Sequence, residues 1–277
     1  MNSKLGPNQE KKVKNYFSNY ANAYYKENYD GSLKNCYSYS HIVRKNHIMR
    51  MIDFNQGRIL DIGCGPGVIT YSLLLQGHEV WGVDVSESMI KEASERIEQT
   101  EFKQKAHFSV GDITSLDFPD NYFDAVICSG VLEYLENDDK ALKEIYRVLK
   151  FEGVAIFGVP KPRKIYAKSI EIIRKILMPS VPTLVRIKRK RSNREYRGDS
   201  STRYFGHNTY TSSTLDSILN GVGFKKLDYA NYHFVSLFLC LLAPNLSLKV
   251  GEKLDELYYK STCLSSFSKG YIVKVQK

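Results

Sequence analysis

Arg58-Ile-Leu-Asp-Ile-Gly-Cys-Gly-Pro-Gly67, followed by Glu79-Val-Trp-Gly-Val-Asp84, decides how this 277-residue chain is organised. A short β-branched run from Ile59 to Ile62 breaks into three alternating glycines, and a helical pattern starts near Val68. That order is strand, tight turn, helix. Glycine permits a positive φ and lets a ligand approach the main chain without a Cβ in the way. A second apolar strand then ends at Asp84, 21 residues after Gly63. In nucleotide-binding βαβ units an acid at that offset accepts hydrogen bonds from ribose hydroxyls.

Working outward, the same alternation continues. Gly77 closes the helix that starts after Gly67. Ser86 is an N-cap for a helix over Glu87–Glu98. Ala106–Val110 and the continuously apolar Phe123–Cys128 read as buried parallel strands. Asp138–Lys150 places Ala141, Leu142, Ile145, Val148 and Leu149 on one helical face. Gly153–Val159 is a fifth strand, Thr211–Leu219 a helix, and Phe224–Ala230 and Gly270–Gln276 two further strands. Strands alternating with helices at this spacing predict an α/β, doubly wound, Rossmann-like sheet of seven strands.

Before the glycine turn, Lys4–Lys14 reads as a polar leader. Lys14–Tyr29 is an amphipathic helix with an aromatic face of Tyr16, Phe17, Tyr20, Tyr24 and Tyr25. That face suits either a structural cap or a lid over ligand. A tyrosine-rich linker, Asp30–Tyr39, leads to a helix over Ser40–Ile52. Four regions follow: a helical lid (1–52), a Rossmann-like core (53–160), a basic insertion after the fifth strand (161–210), and a C-terminal helix with the closing strands (211–277).

Composition narrows the function classes. The content is 43% hydrophobic with mixed charges, which fits a globular fold. Five cysteines, odd in number and without a Cys-x-x-Cys, exclude a disulfide framework or a zinc ribbon and suit a reducing, cytoplasmic setting; no metal site is expected. No apolar h-region opens the sequence, and the longest apolar run, Val235–Ala243, is far short of the ~20 residues that span a bilayer. The net charge of +10 is concentrated: Val159–Gly198 holds thirteen Lys and Arg against two Glu. Ile170, Ile172, Ile173, Ile176, Leu177, Val181 and Leu184 interleave with those charges. An interfacial helix touching a membrane surface has this pattern; a nucleic-acid surface shares the charge but does not need the apolar residues.

The G-x-G-x-G turn with Asp61 before it, Asp84, Gly111-Asp112-Ile113 and Phe118–Ser129, in that order, resemble the class I S-adenosylmethionine-dependent methyltransferases over roughly residues 16–159. The resemblance implies S-adenosylmethionine as cofactor. Gly63 and Gly65 would admit its amino-acid end, with Asp61 near the ammonium and Asp84 on the ribose. Asp112 would accept from the adenine amino group, with Ile113 on the ring and Met89 packed beside it. Ser129 stands at the tip of the fourth strand, and Arg44 resembles the arginine that ubiquinone-pathway O-methyltransferases set against the cofactor carboxylate. Many relatives carry histidine after the Leu-Glu of the fourth motif; here Val131-Leu-Glu-Tyr134 has tyrosine, so Glu133, Tyr134 and His207 are the candidate catalytic groups. The expected activity is methylation, most simply O-methylation, of a small hydrophobic acceptor in biosynthesis. The alternatives are an RNA methyltransferase and a methyltransferase fold kept only for binding; the shortened turn spacing disfavours a dinucleotide oxidoreductase.

Overall fold

The structure, a computed structural model, describes residues 8–29, 36–162, 207–234, 244–263, 265 and 268–277. Most of the basic insertion and the run Val235–Ala243 therefore lie outside the described residues. Seven strands form one sheet: β1 (Arg58–Ile62), β2 (Glu79–Asp84), β3 (Ala106–Val110), β4 (Phe123–Ser129), β5 (Leu149–Pro160), β6 (Lys225–Tyr232) and β7 (Gly270–Gln276). Their order is β3-β2-β1-β4-β5-β7-β6. The first five are parallel, and β7 runs antiparallel between β5 and β6.

Period-2 alternation sorts side chains to two apolar layers. Leu60, Val126, Ala155, Phe157 and Val273 meet α5 (Asp138–Val148) and α6 (Ser212–Val222) on one face. Ile59, Val80, Ile127, Ile156 and Ile272 meet α2 (Cys36–Met51) and α3 (Val68–Leu75) on the other, where Ile97 of α4 (Glu87–Glu98) joins them. The expected architecture is therefore present. Ser86 caps α4 as expected, its Oγ accepting from Met89 N at 3.3 Å; Thr211, expected inside α6, caps it, with Oγ1 accepting from Thr214 N at 3.1 Å, and Gly223 ends that helix at φ 115°.

Several boundaries differ, among them that of β5, which begins at Leu149 and not Gly153 and so takes the end of the expected Asp138–Lys150 helix. Helix α1 spans Gln9–Asn28, so the polar leader does not extend to Lys14. Its first turn is tied down, because Val13 and Gln9 are buried and Gln9 N donates to Glu136 Oε1 at 2.9 Å. Helix α2 starts at Cys36, inside the expected linker, because Tyr39 is buried and donates to Asp255 Oδ2 at 2.5 Å. The connection from β6 to β7 carries a helix not expected from the sequence, α7 (Pro244–Tyr258), whose Asp255 accepts from Tyr39 and from His233 N.

Candidate active site

The strand order reverses between β1 and β4, and ligands of open α/β sheets bind outside the strand ends at such a switch point. A cavity of about 890 Å³ opens there. Its floor is the strand ends: Ile62 of β1 and Gly63 after it, Asp84 of β2, Gly111 to Ile113 after β3, Ser129 of β4, and Pro160 of β5. Its roof is α1 with Tyr16, Phe17, Tyr20 and Tyr24.

The glycine turn is built for close approach. Gly63, Gly65 and Gly67 all have positive φ, at 65°, 53° and 75°. A Cβ on Gly63 would stand 2.3 Å from Val131 Cγ2, whereas one on Gly65 would meet nothing within 4 Å, so the main chain at Gly65 faces open cavity. Asp84 fastens this turn to the next helix: Oδ2 accepts from Gly65 N at 3.0 Å and Oδ1 from Ser86 N at 2.9 Å. Burial raises its pKa, and the bonds from Ser86, Gly65 and Val85 pull it back only in part. Two backbone donors leave a carboxylate with acceptor sites to spare.

Met89 and Ile113 are buried lining residues, and Asp112 lies exposed at the rim, its Oδ1 accepting from Thr114 N at 2.8 Å. Ser129 Oγ is buried and has no hydrogen-bond partner among the described residues. These features fit an adenosine-bearing ligand: an open main chain at a tight turn, a ribose-type acid, apolar walls and an unsatisfied hydroxyl. Asp61 alone of the expected cofactor residues does not line the cavity. Strand alternation sends it with Ile59 toward α3, where it accepts from Thr70 Oγ1 at 2.7 Å. Burial pushes its pKa up to about 7.

Arg44 reaches over Gly130, where a Cβ would stand 2.8 Å from Nη1. Its Nη2 lies 3.1 Å from His41 Nδ1, which is also 3.2 Å from the Tyr29 hydroxyl. Burial works against the Arg44 charge, but Tyr29, Tyr232, Tyr24 and Glu133 outweigh it and hold the guanidinium well above its ordinary pKa.

The catalytic candidates converge although 73 residues separate Tyr134 from His207. Their rings meet edge to face at 4.8 Å, and Tyr134 meets Phe17 of α1 at 5.6 Å. The link is a seam of hydrogen bonds: Asn208 N donates to Glu133 O, Asn208 Nδ2 to Leu135 O, and the Tyr210 hydroxyl to Leu132 O and Asp138 Oδ2. Glu133 is 4% exposed and lines the same wall. Sequence reasoning missed Tyr29, His41, Lys161, Asn208, Tyr210, Tyr232 and Lys269. Only Tyr29, a tyrosine one helical turn past Tyr25, carried a local signal; the others depend on long-range contacts.

Turn, acid and switch point together define a nucleoside-binding α/β protein. Residues 60–157 match the family model described as a methyltransferase domain. The demethylmenaquinone methyltransferase of Leptospira interrogans is 33% identical over 210 residues, covering 72% of this chain and 81% of the relative. Two solved structures share the fold at low identity: the [4+2]-cyclase SpnF (17%, TM-score 0.64, 99% of this chain and 97% of that one) and the magnesium protoporphyrin IX methyltransferase of Synechocystis with bound SAH (16%, TM-score 0.62, 97% and 99%). The chain belongs to the class I S-adenosylmethionine-dependent methyltransferases, and S-adenosylmethionine is its cofactor.

Proposed function

We propose that this methyltransferase acts on a hydroxyl of a small molecule with an aromatic or otherwise apolar body. The observation that carries this reading is the shared cavity: cofactor-type residues at the strand ends face an aromatic roof and the Tyr134–His207 wall across one space. When bound, S-adenosylmethionine supplies a methyl group already activated on a sulfonium. Asp84 holds the ribose, Met89, Asp112 and Ile113 the adenine, and Gly63, Gly65 and Arg44 the amino-acid end.

What remains for the chain is orientation and one proton. Holding the reactants in line contributes up to roughly 7–11 kcal/mol. Phe17, Tyr24 and Tyr134 exclude water and orient the acceptor ring. A phenol of pKa ~10 must lose its proton as the oxygen attacks; the His207 imidazole takes it, steadied by the edge of Tyr134, while Glu133 supports the charge that results. The named Leptospira relative is a demethylmenaquinone methyltransferase, which supports a small-molecule acceptor with an apolar body. The basic segment within 161–197 would bring the enzyme to an anionic membrane surface where such acceptors reside. Among the described residues no helix is long and apolar enough to cross a membrane.

The test is native mass spectrometry of the purified full chain, followed by methyl-transfer assays on any small molecule that copurifies. Retention and methylation of a hydroxylated aromatic are expected. Methylation of structured RNA, with no small-molecule acceptor accepted, would replace this reading with the RNA one.

A further inference from the structure

The head of Arg44 stands at the switch point, and groups from two helices hold it there. The residue belongs to α2, and a Cβ on Gly130, just past the end of β4, would be 2.8 Å from its Nη1. A long side chain keeps one place only where its head is held, because fixing it costs rotamer freedom. One holding group is His41, three residues earlier on the same helix. The other is Tyr29, the C-cap of α1, whose own N–H donates to Tyr25 O at 2.8 Å. All three side chains line the cavity.

Chemistry assigns the roles within this group. A guanidinium donates and never accepts, so the contact between Arg44 Nη2 and His41 Nδ1 at 3.1 Å makes Nδ1 the acceptor. The ring proton of His41 is therefore on Nε2, and the ring is neutral. Burial, then the Arg44 charge, hold its pKa well below the ordinary value and agree with that state. The Tyr29 hydroxyl lies 3.2 Å from the same Nδ1. Burial raises the Tyr29 pKa and Arg44 draws it part of the way back, so the phenol oxygen faces the guanidinium as well. The imidazole is also boxed by rings of α1: Tyr24 meets it at 5.8 Å and Tyr29 at 5.3 Å, and the two tyrosines meet each other at 6.3 Å. Two neutral groups thus orient the cation; Glu133 adds to the field at Arg44, but less than Tyr29 does. Arg44 Nε is buried with no hydrogen-bond partner among the described residues. A buried donor without an acceptor is costly, and a ligand carboxylate would satisfy it.

We propose that Tyr29 and His41 are positioning residues for Arg44: they hold its guanidinium at the end of β4 for the carboxylate of S-adenosylmethionine, and the last turn of α1 is thereby fastened by the same group that recognises the cofactor's amino-acid end. This rests on the assignment of Arg44 to that end, made above. The contribution of Tyr29 and His41 passes through one side chain, so it is silent toward a ligand that lacks the carboxylate.

The test is calorimetry on the full chain with two ligands: S-adenosylhomocysteine, and 5′-methylthioadenosine, which keeps the adenosine and the sulfur but has no amino-acid end. Tyr29→Phe and, separately, His41→Phe should each lower affinity for S-adenosylhomocysteine by about threefold to tenfold and for 5′-methylthioadenosine by less than about twofold. Arg44→Gln should cost at least about tenfold on the first ligand and again spare the second. Adding Tyr29→Phe to Arg44→Gln should then cost nothing more, because the first change has removed the group through which the second acts. Equal losses on both ligands in Tyr29→Phe would make the contact structural and overturn the inference. So would additive losses in the double variant. Unchanged affinity in Tyr29→Phe, with Arg44→Gln still separating the two ligands, overturns the inference and leaves Arg44 on the carboxylate. If Arg44→Gln weakens both ligands alike, that assignment falls and the inference with it. Thermal denaturation checks each fold; Tyr29→Phe deletes a single oxygen and decides the matter if His41→Phe does not fold.

Discussion

Among single residues, the two carboxylates around the glycine turn have opposite environments. Asp84 sits at a strand end with two backbone donors on it and the cavity before it. Asp84→Ala should therefore lower affinity for S-adenosylhomocysteine at least about tenfold by calorimetry, since each hydrogen bond to a charged group contributes roughly 1.5–3 kcal/mol. Leaving Gly65 N and Ser86 N without their acceptor should also lower the melting temperature. Asp84→Asn should retain more stability and still lose affinity; unchanged affinity in either folded variant would remove Asp84 from the ribose. Asp61 faces inward to Thr70, and burial raises its pKa from 3.8 to about 7. Between those values the unfolded chain has released the proton and the folded chain keeps it. Stability from this group is thus fully present below about pH 4 and is lost as pH rises through about 7. Asp61→Asn, a neutral isostere that still accepts from Thr70, should flatten that decline in chemical denaturation curves collected from pH 5 to 8. A parallel decline in the variant would show that other groups set it. Both acids were visible in the sequence, but their roles were not equally legible. An offset from the first glycine identifies Asp84. Only the side-chain alternation of β1 against a particular threonine of α3 shows that Asp61 points away from the cavity.

Among elements, α1 is the piece whose importance the sequence showed best and whose limits it showed least well. Its aromatic spacing was plain from Tyr16 to Tyr25. Its attachments were not, because they join residues tens of positions apart: the Ser18 and Ser86 hydroxyls at 3.0 Å, Arg96 over the Tyr25 ring at 3.5 Å, and Gln9 N on Glu136. Arg96 also donates to Pro66 O at 2.9 Å, so one side chain ties the roof to the glycine turn. Cation–π contacts contribute about 0.5–2 kcal/mol. Arg96→Ala should accordingly speed release of S-adenosylhomocysteine by about threefold to tenfold in stopped-flow measurements, with a smaller change in the association rate. A release rate equal to wild type would make α1 a structural cap and not a lid. Helix α7 escaped the sequence reading altogether. The apolar run just before it is the stronger signal, and its own buried group, Asp255, looks like a surface acid until Tyr39 and the main chain at His233 and Phe234 are brought to it.

For the whole molecule, charge and topology make separate demands. The segment from Lys161 to Arg197 carries the chain's net positive charge and mixes it with isoleucine, leucine and valine. Sedimentation with liposomes containing anionic lipid is expected, at about 1 kcal/mol per engaged basic residue. Serine in place of Ile172, Ile173, Ile176 and Leu177 should weaken it with every charge retained. Binding that survives those changes but vanishes in high salt would reduce the segment to a charge patch. The parallel half of the sheet was legible because its contacts are nearly local, with β1, β2 and β4 each announced by the helix that follows it. The insertion of β7 between β5 and β6 was not legible, since nothing in Gly270–Gln276 itself says that it enters the sheet inverted. That insertion has a consequence in time. During vectorial synthesis β6 emerges with no strand to pair with, and the edge of β5 stays open, until the ribosome has delivered Gly270–Gln276. For that interval the nascent chain exposes two unmatched edges, the kind of surface on which newly made proteins stick to one another or are held by chaperones.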